Sequence, residues 1–221
     1  MTSVIAIDGP AASGKSTVAG LVADKLNIPY INTGNMFRAV AWYFTENNIC
    51  FSSLSSEKLK LLLQRLDLKY IKNSSGGFEL SIAGIQLNEQ IRVPEVTKIV
   101  SEVAALKEVR LYLLDLQRAY AEDGLVVMEG RDIGSVVFPN AEYKFFVTAS
   151  PLVRAERRLA QGNENVSGAT LQSVADEIAR RDELDSKREI APLVQADDAE
   201  LIDTSDMTIN DVVERIISKV K

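Results

Sequence analysis

The stretch Gly9-Pro10-Ala11-Ala12-Ser13-Gly14-Lys15-Ser16-Thr17 carries the spacing Gly-x-x-x-x-Gly-Lys-Ser, which suits a loop built to wrap phosphate. Gly9 and Gly14 let the backbone come close to oxygens, so that successive N–H groups point into one nest. Lys15 is spaced to reach the β- and γ-phosphates of a nucleoside triphosphate, and the Ser16 hydroxyl to bind the Mg²⁺ that accompanies them. An apolar run, Val4-Ile5-Ala6-Ile7, precedes the loop, and residues 17–23 continue with helical spacing. Strand, phosphate loop and helix therefore follow in the order such a site needs, with the helix N-terminus adding partial positive charge toward the phosphates.

Cations are the second resource. Arg38 falls one turn into a helix that follows a short apolar segment, and Arg131-Asp132 stands between Gly130 and Gly134 after the buried-looking run 125–129. Arg154, Arg157 and Arg158 are spaced i, i+3, i+4, and Arg181, Asp185 and Arg188 are spaced i, i+4, i+7, so each set shares one helix face. Both sets also fit a solvated face laced with ion pairs, each of which is worth only a few tenths of a kcal/mol. Arg131-Asp132 fits that description less well, because a charged pair directly after a buried strand lies where open α/β sheets bind ligands. Phosphoryl transfer uses this composition: it asks for little covalent chemistry and much neutralisation of charge on the moving group, which guanidinium groups supply bidentately.

Composition narrows the options. The 221 residues are 46% hydrophobic and 25% charged, enough for a core of one domain with a small insert. There is no histidine, which removes histidine-dependent nucleophile schemes and imidazole-ligated zinc. A net charge of −6 argues against a broad basic face for a nucleic-acid polymer. No apolar run is long enough to span a bilayer and no leader pattern opens the chain, so the expected location is cytoplasmic, away from membranes. The single cysteine, Cys50, lies in the apolar triplet Ile49-Cys50-Phe51 and is expected to be a small core residue.

The elements that must position these groups alternate. Strands are expected at 3–8, 30–31, 125–129, 142–148 and 200–203, and helices at 15–26, 36–46, 59–66, 94–122, 151–160, 170–188 and from about 208. That order gives an α/β fold, a parallel sheet with helices on both faces. The long segment 94–122 should break near Lys107, because Ser101 and Arg110 would face opposite ways on one straight helix. Residues 67–93 change texture: Asp67–Ile71 and Phe78–Ile82 alternate with period two around Asn73-Ser74-Ser75-Gly76-Gly77, an antiparallel insert with a further turn at Ala83-Gly84. The whole of residues 1–221 reads as one domain, with 67–93 a small mobile insert.

Taken together the motifs resemble the bacterial cytidylate kinase family over nearly the whole chain. The resemblance rests on Asp8-Gly9-Pro10-x-x-Ser13-Gly14-Lys15-Ser16-Thr17, Thr33-Gly34-x-x-Phe37-Arg38, Ile91-Arg92-x-x-Glu95-Val96, Gly130-Arg131-Asp132-Ile133-Gly134-x-Val136-Val137-Phe138-Pro139 and Arg180-Arg181-Asp182-x-x-Asp185-x-x-Arg188. It implies that ATP and CMP or dCMP are the substrates and that Mg²⁺ accompanies ATP. A compact enzyme of this length can work as a monomer, and the sequence carries no strong interface signal, so a monomer is expected. It implies catalytic positions for Lys15, Arg131, Asp132 and Arg158, with residues 9–17 on the ATP phosphates. Arg154, Arg157 and Arg158 would belong to a lid over ATP, at about residues 154–168. Arg38 and Arg131 would grip the acceptor phosphate with Thr33 close by. Ser101, Arg110, Asp132 and Arg188 would face the cytosine, and Arg181 and Asp185 the sugar and phosphate. The insert would stand on the CMP side. The family often has Asp-Ser-Gly where this chain has Asn32-Thr33-Gly34, and Asp-Gly-Arg-Asp where Glu129 precedes Gly130. A different small-molecule kinase is the nearest alternative. A GTP-dependent switch lacks its Asn-Lys-x-Asp and Asp-x-x-Gly motifs here, and for an ATPase of a molecular machine residues 126–129 are the only lookalike of the acidic strand it needs.

Overall fold

A computed structural model describes residues 3–72, 78–122, 124–161 and 168–220. Five strands form the central sheet: β1 (Val4–Asp8), β2 (Tyr30–Asn32), β6 (Val126–Gly130), β7 (Tyr143–Thr148) and β8 (Glu200–Asp203). Their order is β2-β6-β1-β7-β8, and every pairing is parallel. In β1, Ile5 and Ile7 point to one face, packing with Val18 and Val22 of α1 (Lys15–Leu26) and Val212 and Ile216 of α8 (Ile209–Ile217). Val4 and Ala6 point to the other, against Ile133, Val137 and Phe138. Alternate residues of a parallel strand buried on both sides explain the near-continuous apolar runs.

The second sheet is antiparallel and small: β3 (Lys69–Lys72), β4 (Phe78–Ile82) and β5 (Ile85–Leu87), in that order. The turn expected at 73–77 lies outside the described residues. The turn at Ala83-Gly84 joins β4 to β5 with both residues at positive φ, 50° and 77°, the geometry a two-residue hairpin requires. Leu80, Ile82 and Leu87 of this sheet share a core with α2 (Thr33–Glu46), α3 (Ser56–Leu63), α4 (Pro94–Ala105) and α5 (Lys107–Ala119). Tyr70 ties the insert back to the main sheet, its hydroxyl donating to the Asn32 carbonyl at 2.7 Å. The chain then closes through α6 (Pro151–Gln161) and α7 (Leu171–Lys187).

The expected break in 94–122 is present at Leu106, whose extended ψ of 122° separates α4 from α5. Two boundaries differ for local reasons. Helix α2 begins at Thr33 rather than near Met36, because the Asn32 side chain caps it by accepting from Asn35 N at 3.0 Å. The stretch after β6, read as a loop, winds into a wide turn over Ile133–Val137 with π-helical hydrogen bonding. Cys50 corrects an expectation: it is exposed, because the chain leaves α2 there through Asn47 and Asn48, the latter at φ 51°. Its apolar neighbours Ile49 and Phe51 both pack against the core, and Phe51 stacks on Phe44, 5.7 Å between centroids. No helix among the described residues is long and apolar enough to cross a membrane.

Candidate active site

The carboxyl ends of β1, β2 and β6 open into one cleft. Its walls include Ala11 to Thr17, Thr33, Arg38, Ser101, Arg131, Asp132, Arg158, Arg181, Asp185 and Arg188. Residues spread over most of the chain length are thus brought together, at the place a doubly wound sheet offers a ligand.

The phosphate loop is fixed by backbone geometry. Gly9 has φ 153°, and a Cβ there would stand 2.0 Å from the Val147 carbonyl oxygen of β7, so no other residue fits. Gly14 adopts φ 89° as it enters α1. Lys15 is buried and donates through Nζ to the Pro10 carbonyl at 2.9 Å. Burial and the neighbouring Arg131, Arg181 and Arg158 bring its pKa down to about 7, against a smaller opposing pull from Glu129. Ser16 and Thr17 are exposed on the first turn of α1, whereas the Ser13 hydroxyl is buried without a hydrogen-bond partner.

The opposite wall is a network of alternating charge. Asp132 is paired with Arg110 and lies 3.6 Å from Nη2 of Arg188, an atom that makes no hydrogen bond. Arg110 is oriented by the Ala104 carbonyl at 3.1 Å and by the Phe37 ring, 5.4 Å from its guanidinium. Arg131 donates from Nε to Asp185 at 2.9 Å. Burial alone would lower the Arg131 pKa, but Asp185 and then Glu129 hold it above its ordinary value. Asp185 shows the converse: burial would raise it, and Arg131, Arg181 and Arg188 hold its carboxyl below the usual range. Arg188 is pushed down to about 10 by burial and by Arg110, with Asp132 pulling the other way. Arg38, buried in α2, donates to the Ile91 carbonyl at 3.1 Å and to Thr97 Oγ1 at 2.9 Å, and Thr33 donates to the Glu129 carbonyl at 2.7 Å.

The three arginines of α6 divide. Arg158 lines the cleft. Arg154 is buried and reaches the Ala149 and Ala11 carbonyls, at 3.1 and 3.2 Å, and Asp182. Arg157 donates to the Ser13 carbonyl at 3.2 Å and to Thr204. These two support the phosphate loop from behind, and Gly9, Pro10 and Arg110 likewise stand behind the lining. Of the expected lid, residues 162–167 lie outside the described residues.

Three participants carried no role in the sequence reading. Asp182 of α7 accepts from Ala11 N at 3.2 Å, although its motif position beside Arg181 was visible. Arg92 enters the cleft and donates to Asn35 Oδ1 at 3.2 Å. Asp8, at the end of β1, is 5% exposed and accepts two backbone amides from the turn after Asp132, at 2.8 and 2.7 Å. A charged residue ending an otherwise apolar strand was the available signal.

Comparison with known proteins follows the same line. A family model described as cytidylate kinase matches residues 5–221. A cytidylate kinase of Clostridium botulinum (strain Loch Maree / Type A3) is 46% identical over 217 residues, covering 98% of this chain and 97% of that protein. One of Clostridioides difficile (strain 630) is 44% identical, with 98% and 97% covered. Among solved structures, an uncharacterised protein from Eubacterium ventriosum ATCC 27560 matches with a TM-score of 0.53 at 13% identity, covering 98% of this chain and 97% of that one, a likeness of fold alone.

Proposed function

This chain belongs to the cytidylate kinase family, and we propose that it transfers the γ-phosphate of ATP directly to the phosphate of CMP or dCMP, giving ADP and CDP or dCDP. The loop of residues 9–17 holds the ATP phosphates through backbone N–H groups, with Lys15 bridging the β- and γ-phosphates. Arg158 enters from α6, and Arg154 and Arg157 keep the loop in shape. Arg38 and Arg131 grip the acceptor phosphate, with Thr33 beside it and Arg181 and Asp185 toward the sugar. The acceptor phosphate is already an anionic nucleophile, so alignment and charge neutralisation suffice and no general base is required.

One observation carries the base selectivity: the buried carboxylate of Asp132, set between Arg110 and Arg188 in the same cleft as the phosphate loop. Cytosine offers an exocyclic amine to a carboxylate and a carbonyl to a guanidinium. Uracil turns a carbonyl toward Asp132, a mismatch worth about 1–3 kcal/mol. Ser101 of α4 lines this wall, and Leu80, Ile82, Leu87 and Ile91 of the insert back the α2 helix that carries Arg38.

Mg²⁺ arrives with the triphosphate. The residues suit a shared ion: Ser16 is exposed in the cleft and the Glu129 carboxylate, one residue before the end of β6, lines it too. Ser16 would hold it, with Glu129 near, and when bound the ion neutralises charge on the phosphate oxygens.

A coupled ADP-release assay with Mg²⁺–ATP and, separately, CMP, dCMP, UMP, AMP and GMP tests the reading. Fast turnover with CMP and dCMP and weak turnover with UMP is the expected result. Equal rates with UMP would remove the role of Asp132, and ADP release independent of any acceptor would sink the kinase reading.

A further inference from the structure

The steps above leave one buried carboxylate without a part. Asp8 is the last residue of β1, immediately before the phosphate loop, and pairs in register with Gly130 of β6. Its Oδ1 accepts from Ile133 N at 2.8 Å and its Oδ2 from Gly134 N at 2.7 Å. Those amides are the first two after Arg131-Asp132, so both carboxylate oxygens are committed to the segment that carries the acceptor-binding pair. The other side of that segment is closed too. A Cβ on Gly134 would lie 3.2 Å from Cδ of Lys144 and 3.5 Å from Oδ2 of Asp8, so Gly134 is pressed between the two. Lys144 is in turn fixed by Asp198 at 2.7 Å and the Pro139 carbonyl at 2.5 Å.

We propose that Asp8 is a positioning residue that sets Asp132 and Arg131 against the phosphate loop, a role that rests on reading the cleft as the site of transfer from ATP to CMP. The donor loop starts one residue after Asp8, and the acceptor pair ends one residue before the first amide it holds. One side chain therefore spans the two half-sites. In-line transfer needs reacting atoms about 3–3.5 Å apart and aligned, and a misplacement near 1 Å costs about 10²-fold. Only a carboxylate serves here: two amide donors require two acceptors, and the isosteric asparagine offers one acceptor and one NH₂ group. Burial and Asp132 push the Asp8 carboxyl up to about 7, while the two amides and Lys15 favour the anion.

The test is Asp8→Asn in the full chain, with steady-state kinetics for CMP and UMP beside the unsubstituted protein. Displacement of Asp132 is expected to lower kcat/KM for CMP by about 10²-fold and to shrink the CMP-to-UMP preference, while KM for ATP changes little. A proportional fall for both acceptors with the preference intact would overturn the proposal, because a loss of folded protein alone scales both rates together. Absence of CMP turnover in the unsubstituted protein would instead fail the functional reading. Should the variant not fold, amide exchange of Ile133 and Gly134 in the unsubstituted protein decides: protection comparable to Met128 in the middle of β6 supports the clamp, and free exchange overturns it.

Discussion

Lys15 shows how one residue couples charge to binding. With its pKa brought down to about 7 by burial and by Arg131, a sizeable fraction of the ammonium is deprotonated near neutrality in the free protein. Triphosphate oxygens favour the charged form, so ATP binding is expected to take up as much as one proton around pH 7–8, and affinity to fall as pH rises through that window. Calorimetry in two buffers of different ionisation enthalpy measures the uptake, and zero uptake would refute it. Stability follows the same linkage. The folded state binds fewer protons than the unfolded chain between about 7 and the ordinary lysine value of 10.5, so stability rises with pH across that range as the cost of burying the ammonium is relieved, and that cost returns in full as pH falls through about 7. Asp132 supports a second expectation. Asp132→Asn leaves Arg110 without its carboxylate and presents an amide that satisfies either pyrimidine, so kcat/KM for CMP should drop about 10- to 100-fold, as loss of a buried polar match of roughly 1–3 kcal/mol implies. The UMP rate should drop less, and an unchanged preference in competition assays would refute the assignment.

At the level of elements, two glycines with positive φ separate conformational freedom from space. Gly9 has no room for a Cβ, which would meet the Val147 oxygen at 2.0 Å, whereas Gly84 between β4 and β5 has nothing within 4 Å. Gly9→Ala must push β1 from β7 and is expected to destabilise by about 3 kcal/mol or more. Gly84→Ala carries only the backbone term, about 1 kcal/mol. Urea midpoints of the two variants give the comparison, and equal shifts would show that the clash is relieved by movement of the loop. The glycines were legible in the sequence as turn formers, but not which one touches a neighbouring strand, since that contact is between residues 138 positions apart. The same holds elsewhere. Strands β1, β6 and β7 were legible because buried parallel strands are continuous apolar runs, and the break at Leu106 because two site residues required it. The start of α2 and the wide turn over Ile133–Val137 were not, since each depends on side-chain-to-backbone bonds, one from Asn35 to Asn32 and a pair from Ile133 and Gly134 to Asp8. The i, i+3, i+4 arginines of α6 were read as one face. They point into the same region, but two of them end on loop carbonyls, a difference that spacing does not encode.

Across the whole molecule, separate apolar clusters meet at the cleft. The two faces of the sheet and the α2–α5 assembly each bury many large side chains. Helices α6 and α7 rest on the phosphate loop through a small cluster, Ala11, Ala155, Val174 and Ile178. Polar ties supplement it: Arg154 to Ala11 and Asp182, and Asp182 to Ala11 N. Little apolar area holds this pair of helices, so its local opening free energy should be well below that of the sheet, within the range from near zero to the global value that proteins span. Arg158 and Arg181 extend from it into the cleft, and a phosphate bound there would supply the attraction the small cluster lacks. A ligand at about 100 times its Kd adds roughly 2.7 kcal/mol to the state that binds it. Hydrogen exchange in peptides from α6 and α7 is therefore expected to be faster than in β1 and β6 without nucleotide, and to slow by about 10- to 100-fold with a non-hydrolysable ATP analogue, while β1 and β6 change least. Slowing confined to residues 9–17 would mean that the helices do not close on the donor. Arg158 would then act from a fixed position, and exclusion of water from the transferring phosphate would fall to the acceptor side.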